Sequence, residues 1–426
     1  MYLLYTVALA LALVVTLPYW LVQMLRHGKY RAGLRERLGA VPERLKADAR
    51  RAIWVHAVSV GEVLAVSALV RRLKERFPDR RVVISTTTAT GQKLARERFG
   101  EESVFYFPLD LGTVLSPYVR ALRPELVVIA ETEFWPNFLR VAKRAGARVA
   151  VVNARVSDRS FPRYRGMRAL IRRVVAPIDI FLAQTAEDAR RLAEIGAEEN
   201  KVAVTGNLKF DIAAPRSAEI VELLRDAMRR AGGSRLLVCG STVEGEEPHL
   251  LRSFRTVLVQ DNRTLMLLAP RHPERFEQVA GYLQQSGLSW WRRSHLQQGQ
   301  PLGGGVVLLD TIGELAAAYE LAALAFVGGS LVPKGGHNIL EAAQHGVAIL
   351  VGPHTGNFRD IVELFVRAGG ARVTSIPRLD NDLIELLGEA DTAKTMGEAA
   401  RAIFLSQAGA TERTLKALES LMETAP

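Results

Sequence analysis

Ile53-Trp54-Val55-His56-Ala57-Val58-Ser59-Val60-Gly61-Glu62 places an apolar, β-rich run directly before a helical pattern that continues to Arg76. A buried strand followed at once by an amphipathic helix is the opening unit of a parallel sheet. The rhythm then repeats. Arg81–Thr86, Ser103–Phe107, Glu125–Ala130, Arg148–Val152 and Ile178–Ala183 read as further buried strands, each with a helix-like segment after it, and Val202–Thr205 closes this half. Pro215 punctuates a polar linker from Asp211 to Ser217, after which the alternation restarts. Its strands are Arg235–Cys239, Thr264–Leu268, Val306–Leu309, Leu324–Val327, Ala348–Val351 and Ala371–Thr374. Two doubly wound α/β halves joined by a linker predict a cleft between them, with ligands beyond the carboxyl ends of the strands.

Upstream of this pattern the composition changes sharply. The 426-residue chain carries 56 Lys+Arg against 45 Asp+Glu, a net charge of +11, and a single cysteine. At 48% hydrophobic and 24% charged it reads as globular, which excludes disordered, collagenous and disulfide-scaffold classes. Cys239 alone forms neither an internal disulfide nor a multi-cysteine metal site. Residues 1–25 hold no charged side chain, whereas 26–51 hold nine basic residues against Glu36, Glu43 and Asp48, six of the net eleven charges. An apolar stretch of this length suffices to cross a hydrocarbon core. Tyr19 and Trp20 suit an interface, and the basic residues that follow predict a bulk on the cytoplasmic side. A helix lying in one leaflet, or a buried one, fits the same composition. A second basic stretch, Arg159 to Arg173, has six arginines (among them Arg163, Arg165 and Arg168) and no acids. Beside an apolar helix it predicts an anionic membrane surface as partner before nucleic acid.

The residues that carry chemistry cluster just after the strands. Glu62 sits near a helix start, where capping and a general base are both open to it. Glu131-Thr-Glu133-Phe-Trp135-Pro136-Asn137 follows a strongly apolar strand, and Lys209 stands near the linker, placed for an anionic group or simply at the surface. In the second half the loops are Gly240 to Glu247, Pro270-Arg271-His272-Pro273-Glu274-Arg275, Thr311-Ile312-Gly313-Glu314 and Gly328-Gly329-Ser330 followed by Lys334 to Glu341. Glycines ahead of a helix predict backbone amides offered to a phosphate, and Glu341 an acceptor for a ribose or base. No Walker motif and no GxGxxG after the first strand occur, and the eight histidines form no close metal pair. Asp380-Asn381-Asp382 reads as a helix cap.

With HAVSVGE, ETEFWPN, GNLKFD, GSTVEGEE, PRHPERF, DTIGEL and GGSLVPKGGHNILEA in that order, the chain resembles the 3-deoxy-D-manno-octulosonic acid (Kdo) transferases of Gram-negative lipopolysaccharide assembly. The resemblance implies a GT-B fold, two Rossmann-like domains facing a central cleft, and inverting transfer of Kdo from CMP-Kdo to a lipid A precursor, lipid IVA, at the cytoplasmic face of the inner membrane. It implies Glu62 as base and Glu131 and Lys209 as transition-state partners. Pro270-Arg271, Ile312-Gly313-Glu314 and Asn338-Ile339-Leu340-Glu341 would bind CMP, with no cofactor or metal. The chain then divides into a membrane helix (1–25), a basic juxtamembrane segment (26–51), an acceptor domain (52–212), a CMP-sugar domain (213–405) and a C-terminal helix (406–426) that packs back on the acceptor domain. Rival readings are a membrane-tethered binding module without catalysis, another GT-B transferase and a sugar-nucleotide epimerase.

Overall fold

A computed structural model describes residues 1–27, 32–158, 160–211 and 218–423. Two compact units emerge, Met1–Asp211 with Ala408–Pro426, and Ile212–Gln407. The first is built on strands β1 (Ala52–His56), β2 (Arg81–Thr86), β3 (Val104–Tyr106), β4 (Pro124–Ala130), β5 (Arg148–Ala154), β6 (Ile180–Ala183) and β7 (Val202–Val204). They lie in the order β3-β2-β1-β4-β5-β6-β7, every neighbouring pair parallel. All five residues of β1 are buried, as a strand covered on both faces requires. One face meets an aromatic cluster of Trp54, Phe105, Phe107, Tyr118 and Phe138; the other meets Val63, Val66 and Leu69 of the helix Val60–Arg76.

The C-terminal helix Ala410–Glu423 completes that second face through Ala410, Leu415 and Leu418. Arg72 pairs with Glu412 at 2.7 Å and Arg76 with Glu419. Asp211 accepts from the Gly409 and Thr411 amides and so caps the helix from a distant segment. The preceding helices Leu379–Gly388 and Ala390–Gln407 belong to the second unit, so the chain changes unit two residues later than its sequence suggests.

The basic stretch 26–51 differs from a plain tether. Its described part forms two short helices, Leu34–Arg37 and Glu43–Lys46, fixed to the edge of the sheet. Glu36 accepts from the Tyr106 amide at 2.7 Å and pairs with Arg44 at 3.2 Å. All three acids of the stretch are ion-paired within it, Glu43 to Lys46 and Asp48 to Arg50 as well. Gly33 has φ of 71°, and a Cβ there would lie 1.9 Å from the Tyr106 ring, so the entry into this segment requires glycine.

The second unit repeats the plan with β8 (Leu236–Thr242), β9 (Leu265–Pro270), β10 (Trp290–Arg292), β11 (Gly305–Leu308), β12 (Leu324–Val327), β13 (Ala348–Val351) and β14 (Ala371–Val373). The order is β10-β11-β9-β8-β12-β13-β14, again parallel throughout. Only β10 escaped the sequence pattern: three half-buried residues, Trp-Trp-Arg, at a sheet edge give no periodicity to read. In each sheet the first strand has neighbours that lead off in opposite directions, β2 and β4 around β1, and β9 and β12 around β8. Those reversals are where parallel α/β sheets open to ligands.

Candidate functional site

At the first reversal, β1 runs into Ser59, which caps the helix Val60–Arg76 by accepting from the Glu62 amide. Glu62 returns the interaction: Ser59 Oγ donates to Oε1 at 2.8 Å and the Val58 amide donates to Oε2 at 2.8 Å. This reciprocal cap is the structural role that sequence allowed. It does not exhaust the residue. Glu62 is 8% exposed, and burial pushes its carboxyl up to about 7, against the pull of the two hydrogen bonds. The nearby carboxylates Glu131 and Glu133 push in the same direction. A capping glutamate would be held acidic by its donors; this one titrates near neutrality, where a general base is useful.

Glu131 leaves β4 in the left-handed conformation, φ 56°, an uncommon state for a residue with a side chain. Its amide donates to the Val152 carbonyl on β5 at 2.9 Å, which holds the turn. Lys209 Nζ lies 3.5 Å from Glu131 Oε1, both half-buried. The lysine is set by Asn207, whose Oδ1 accepts from the Lys209 amide, and by Asn153, whose Oδ1 accepts from the Leu208 amide at 2.9 Å. Asn153 also has positive φ, 53°, and was not distinguished in the sequence because an asparagine at a strand end resembles any turn residue. Glu62, Glu131 and Lys209 therefore belong to the end of the first sheet where its strands' carboxyl termini emerge. Glu133 is pushed up by burial and by Glu131.

The second reversal is organised by a residue that sequence reading passed over. Glu246 has no solvent exposure and accepts four backbone N–H bonds, from Val243 at 3.0 Å, Gly329 at 2.8 Å, Ser330 at 2.9 Å and Leu331 at 2.9 Å. Each carboxyl oxygen accepts two amides; burial pushes the proton affinity up and these amides offset only part of that rise. The expectation that the Gly328-Gly329-Ser330 turn offers its amides to a phosphate is thereby corrected: a carboxylate from the chain itself already fills that nest. A Cβ on Gly328 would sit 2.5 Å from the Ser241 carbonyl oxygen, so glycine is needed for the two loops to meet. Three acids crowd Glu244 to Glu247, and nothing in their spacing reveals which one turns inward.

Its neighbour Glu247, also fully buried, takes a two-pronged ion pair from Arg275 at 2.6 and 3.1 Å. This ties the loop after β8 to the loop after β9. We expect Arg275→Met to lose on the order of 3–5 kcal/mol of stability, since it strands a buried charge. Urea unfolding of the full chain measures this, and Glu247→Gln/Arg275→Met together should recover part of it.

Between these loops stand the remaining donor-site candidates. The Arg271 amide donates to the Thr242 carbonyl at 2.9 Å while its exposed guanidinium acts on both Glu341 and His337. Burial pushes Glu341 up, and Arg271 counters it. Burial, with Arg271 and His272, holds His337 down at about 4, so its imidazole is neutral. Asn338 Oδ1 accepts from the Leu340 amide at 3.1 Å. Ile339 and Leu340 are wholly buried core residues that expose neither side chain nor backbone, and Pro270 is buried too. Ile312 is 81% exposed and Gly313 has φ 90° in an open turn. Glu314 stands at the N-cap position of the helix Leu315–Ala318 without a side-chain capping bond, and is held by Arg293 at 2.7 Å and by Thr311.

Asp380 and Asp382 do not cap their helix as expected. They lie inside it, after the N-cap Arg378, and the buried Asp382 accepts from Thr374 Oγ1 at 2.6 Å at the end of β14. Among the described residues no three His, Cys, Asp or Glu side chains gather as metal ligands would. Arg163, Arg165 and Arg168 are exposed on the helices Phe161–Gly166 and Arg168–Val175. Arg159 lies outside the described residues.

Residues 32–212 match the family model described as 3-deoxy-D-manno-octulosonic-acid transferase (kdotransferase). The 3-deoxy-D-manno-octulosonic acid transferase of Bordetella pertussis is 37% identical over 97% of this chain and 98% of its own length. The Haemophilus influenzae enzyme of the same name is 33% identical over 93% and 92%. In fold, MurG of Acinetobacter baumannii superposes with a TM-score of 0.56 at 14% identity, covering 87% of this chain and 99% of MurG. A putative UDP-N-acetylglucosamine 2-epimerase from Listeria monocytogenes gives 0.55 at 16%, covering 89% and 98%. The architecture is GT-B, and it is shared by proteins with different chemistries, so the fold does not choose among them.

Proposed function

This chain belongs to the Kdo transferase family of lipopolysaccharide biosynthesis, and from that premise we propose that it moves Kdo from CMP-Kdo to lipid IVA with inversion, using Glu62 as general base. The observation that carries this reading is the buried Glu62 carboxyl at the end of β1, with its proton affinity near neutrality. In the proposed step the acceptor hydroxyl oxygen attacks the anomeric carbon of Kdo. The bond from that carbon to the phosphate oxygen breaks, its electron pair leaves with CMP, and the hydroxyl proton passes to Glu62. Lys209, aligned by Glu131, favours the negative charge of the reacting sugar. Arg271 supplies positive charge for the phosphate, and Glu341 accepts hydrogen bonds from the nucleoside.

The helix Tyr2–His27, free of charged side chains as far as Arg26, and the exposed arginines support attachment to the cytoplasmic face of the inner membrane. There an anionic lipid acceptor would be found by a search in two dimensions. Purified protein incubated with CMP-Kdo and lipid IVA in detergent should yield a Kdo-lipid product with inverted anomeric configuration by NMR. Absence of product across several detergents would remove this acceptor, and a retained configuration would remove Glu62 as the base of a single displacement.

A further inference from the structure

We infer that the amino-terminal apolar helix lies along one leaflet instead of crossing the bilayer, because its first turn is held by the same domain that takes up its far end. The inference rests on the membrane attachment proposed above. The helix Tyr2–His27 has 26 residues, so it is roughly 39 Å long at 1.5 Å per residue. That would cross a hydrocarbon core of about 30 Å, and in a crossing helix the two ends emerge on opposite sides.

Here both ends are tied to one unit. At the start, the Tyr5 hydroxyl faces the Asp110 carboxyl closely enough for each to act on the other's ionisation. Thr6 Oγ1 lies 3.0 Å from Asn137 Nδ2, which donates to it, and the Arg140 guanidinium sits 4.9 Å over the Tyr2 ring. These partners belong to the domain interior: Asp110 is 3% exposed and Asn137 0%. Asp110 also accepts from the Asn137 and Phe138 amides at 3.1 and 2.7 Å, capping the helix Pro136–Arg144. Met1 packs against the aromatic core of the first sheet. Beyond the other end, Glu36 and Arg44 fasten the chain back to β3. Crossing would pull Tyr5 and Thr6 away from these partners and uncover Asp110 and Asn137, which the domain buries.

The free side of the helix is what a leaflet needs. Leu3, Leu4, Leu11 and Val15 are each at least 60% exposed. The arginine-bearing helix Arg168–Val175 packs on the same Pro136–Arg144 helix as the apolar one, so acyl chains and anionic headgroups find complementary surfaces side by side. Asn137 belongs to the Glu131–Asn137 motif, so the clamp joins the membrane helix to the loop that carries Glu131. A lipid in that leaflet is then delivered to the carboxyl end of the first sheet, where Glu62 stands.

The test uses the full chain, with a cysteine in a short Ser-Gly leader ahead of Met1; native Cys239 is buried and stays unreactive. A membrane-impermeant maleimide is applied to intact spheroplasts and to inverted inner-membrane vesicles. Labelling should be about tenfold or more stronger in inverted vesicles, the signature of a leader on the cytoplasmic side. Labelling in intact spheroplasts, or in neither preparation, overturns the one-leaflet arrangement. Complete release of the protein by a carbonate wash would instead overturn membrane attachment itself, so the two failures are distinguishable.

Discussion

Glu62→Gln should reduce Kdo transfer by about 10²–10⁴-fold while leaving CMP binding within about twofold, because a positioned base contributes on that scale and the substitution removes only the proton acceptor. The pH dependence sharpens the expectation. In the wild type, kcat/KM should fall with acid through an ionisation near pH 7, the value to which burial lifts the Glu62 carboxyl. In the variant that limb should vanish. Stability gives an independent sign. The carboxyl is raised from its ordinary value of 4.5 to about 7 in the folded chain. Its contribution to stability is therefore complete below pH 4.5 and is lost as pH rises through 7, on the order of 3 kcal/mol. The glutamine cannot ionise, so Glu62→Gln should gain on the wild type between pH 5 and pH 8 in urea unfolding. A variant with normal turnover, or an acid limb that survives the substitution, would show that Glu62 is only the cap that Ser59 and Val58 make of it.

Glu246→Ala should be the most damaging single substitution in the second unit, by roughly 4 kcal/mol or more. It leaves the Val243, Gly329, Ser330 and Leu331 amides without their acceptor in a site with no solvent exposure. The turn also carries Ser330, whose Oγ accepts from the Gly352 amide at 2.8 Å and so links β12 to the segment after β13. Loss of the turn should propagate to that neighbouring loop. CMP affinity should fall by about 10²-fold or more, since a ligand pays for ordering what the protein no longer orders. Glu246→Gln keeps one oxygen but points an amide NH2 at N–H donors, and should fall between the two. Thermal unfolding and calorimetric CMP titration of the full chain measure both effects. An alanine variant that melts with the wild type would mean that water replaces the carboxylate at little cost.

Much of this architecture is legible in the residues themselves. Leu324–Val327 and Ala348–Val351 carry the bounds their apolar runs suggest, because a strand buried on both faces reads as a near-continuous apolar run, and Arg81–Thr86 does so around its apolar centre Val82–Ile84. The motif residues Glu62, Glu131 and Arg271 stand out for a related reason, since each is a charged side chain where a buried strand has just ended. The short edge strand Trp290–Arg292 left no such mark, and neither did the choice among Glu244, Glu246 and Glu247. In both cases the deciding partners lie far away in sequence: β11 for the strand, and the 329–331 turn for the carboxylate.

Two parallel α/β units, an apolar stretch without charges ahead of them, and the loops that bear the chemistry can all be read from the residues alone. Those follow from hydrophobic periodicity and residue type, which act over a few residues along the chain. Packing between distant segments is what raises Glu62 toward neutrality, closes the glycine turn on Glu246, and fastens the first turn of the apolar helix to Asn137. Burial, desolvation and hydrogen bonding are set by what packs around a group, and its neighbours in space are mostly not its neighbours in sequence.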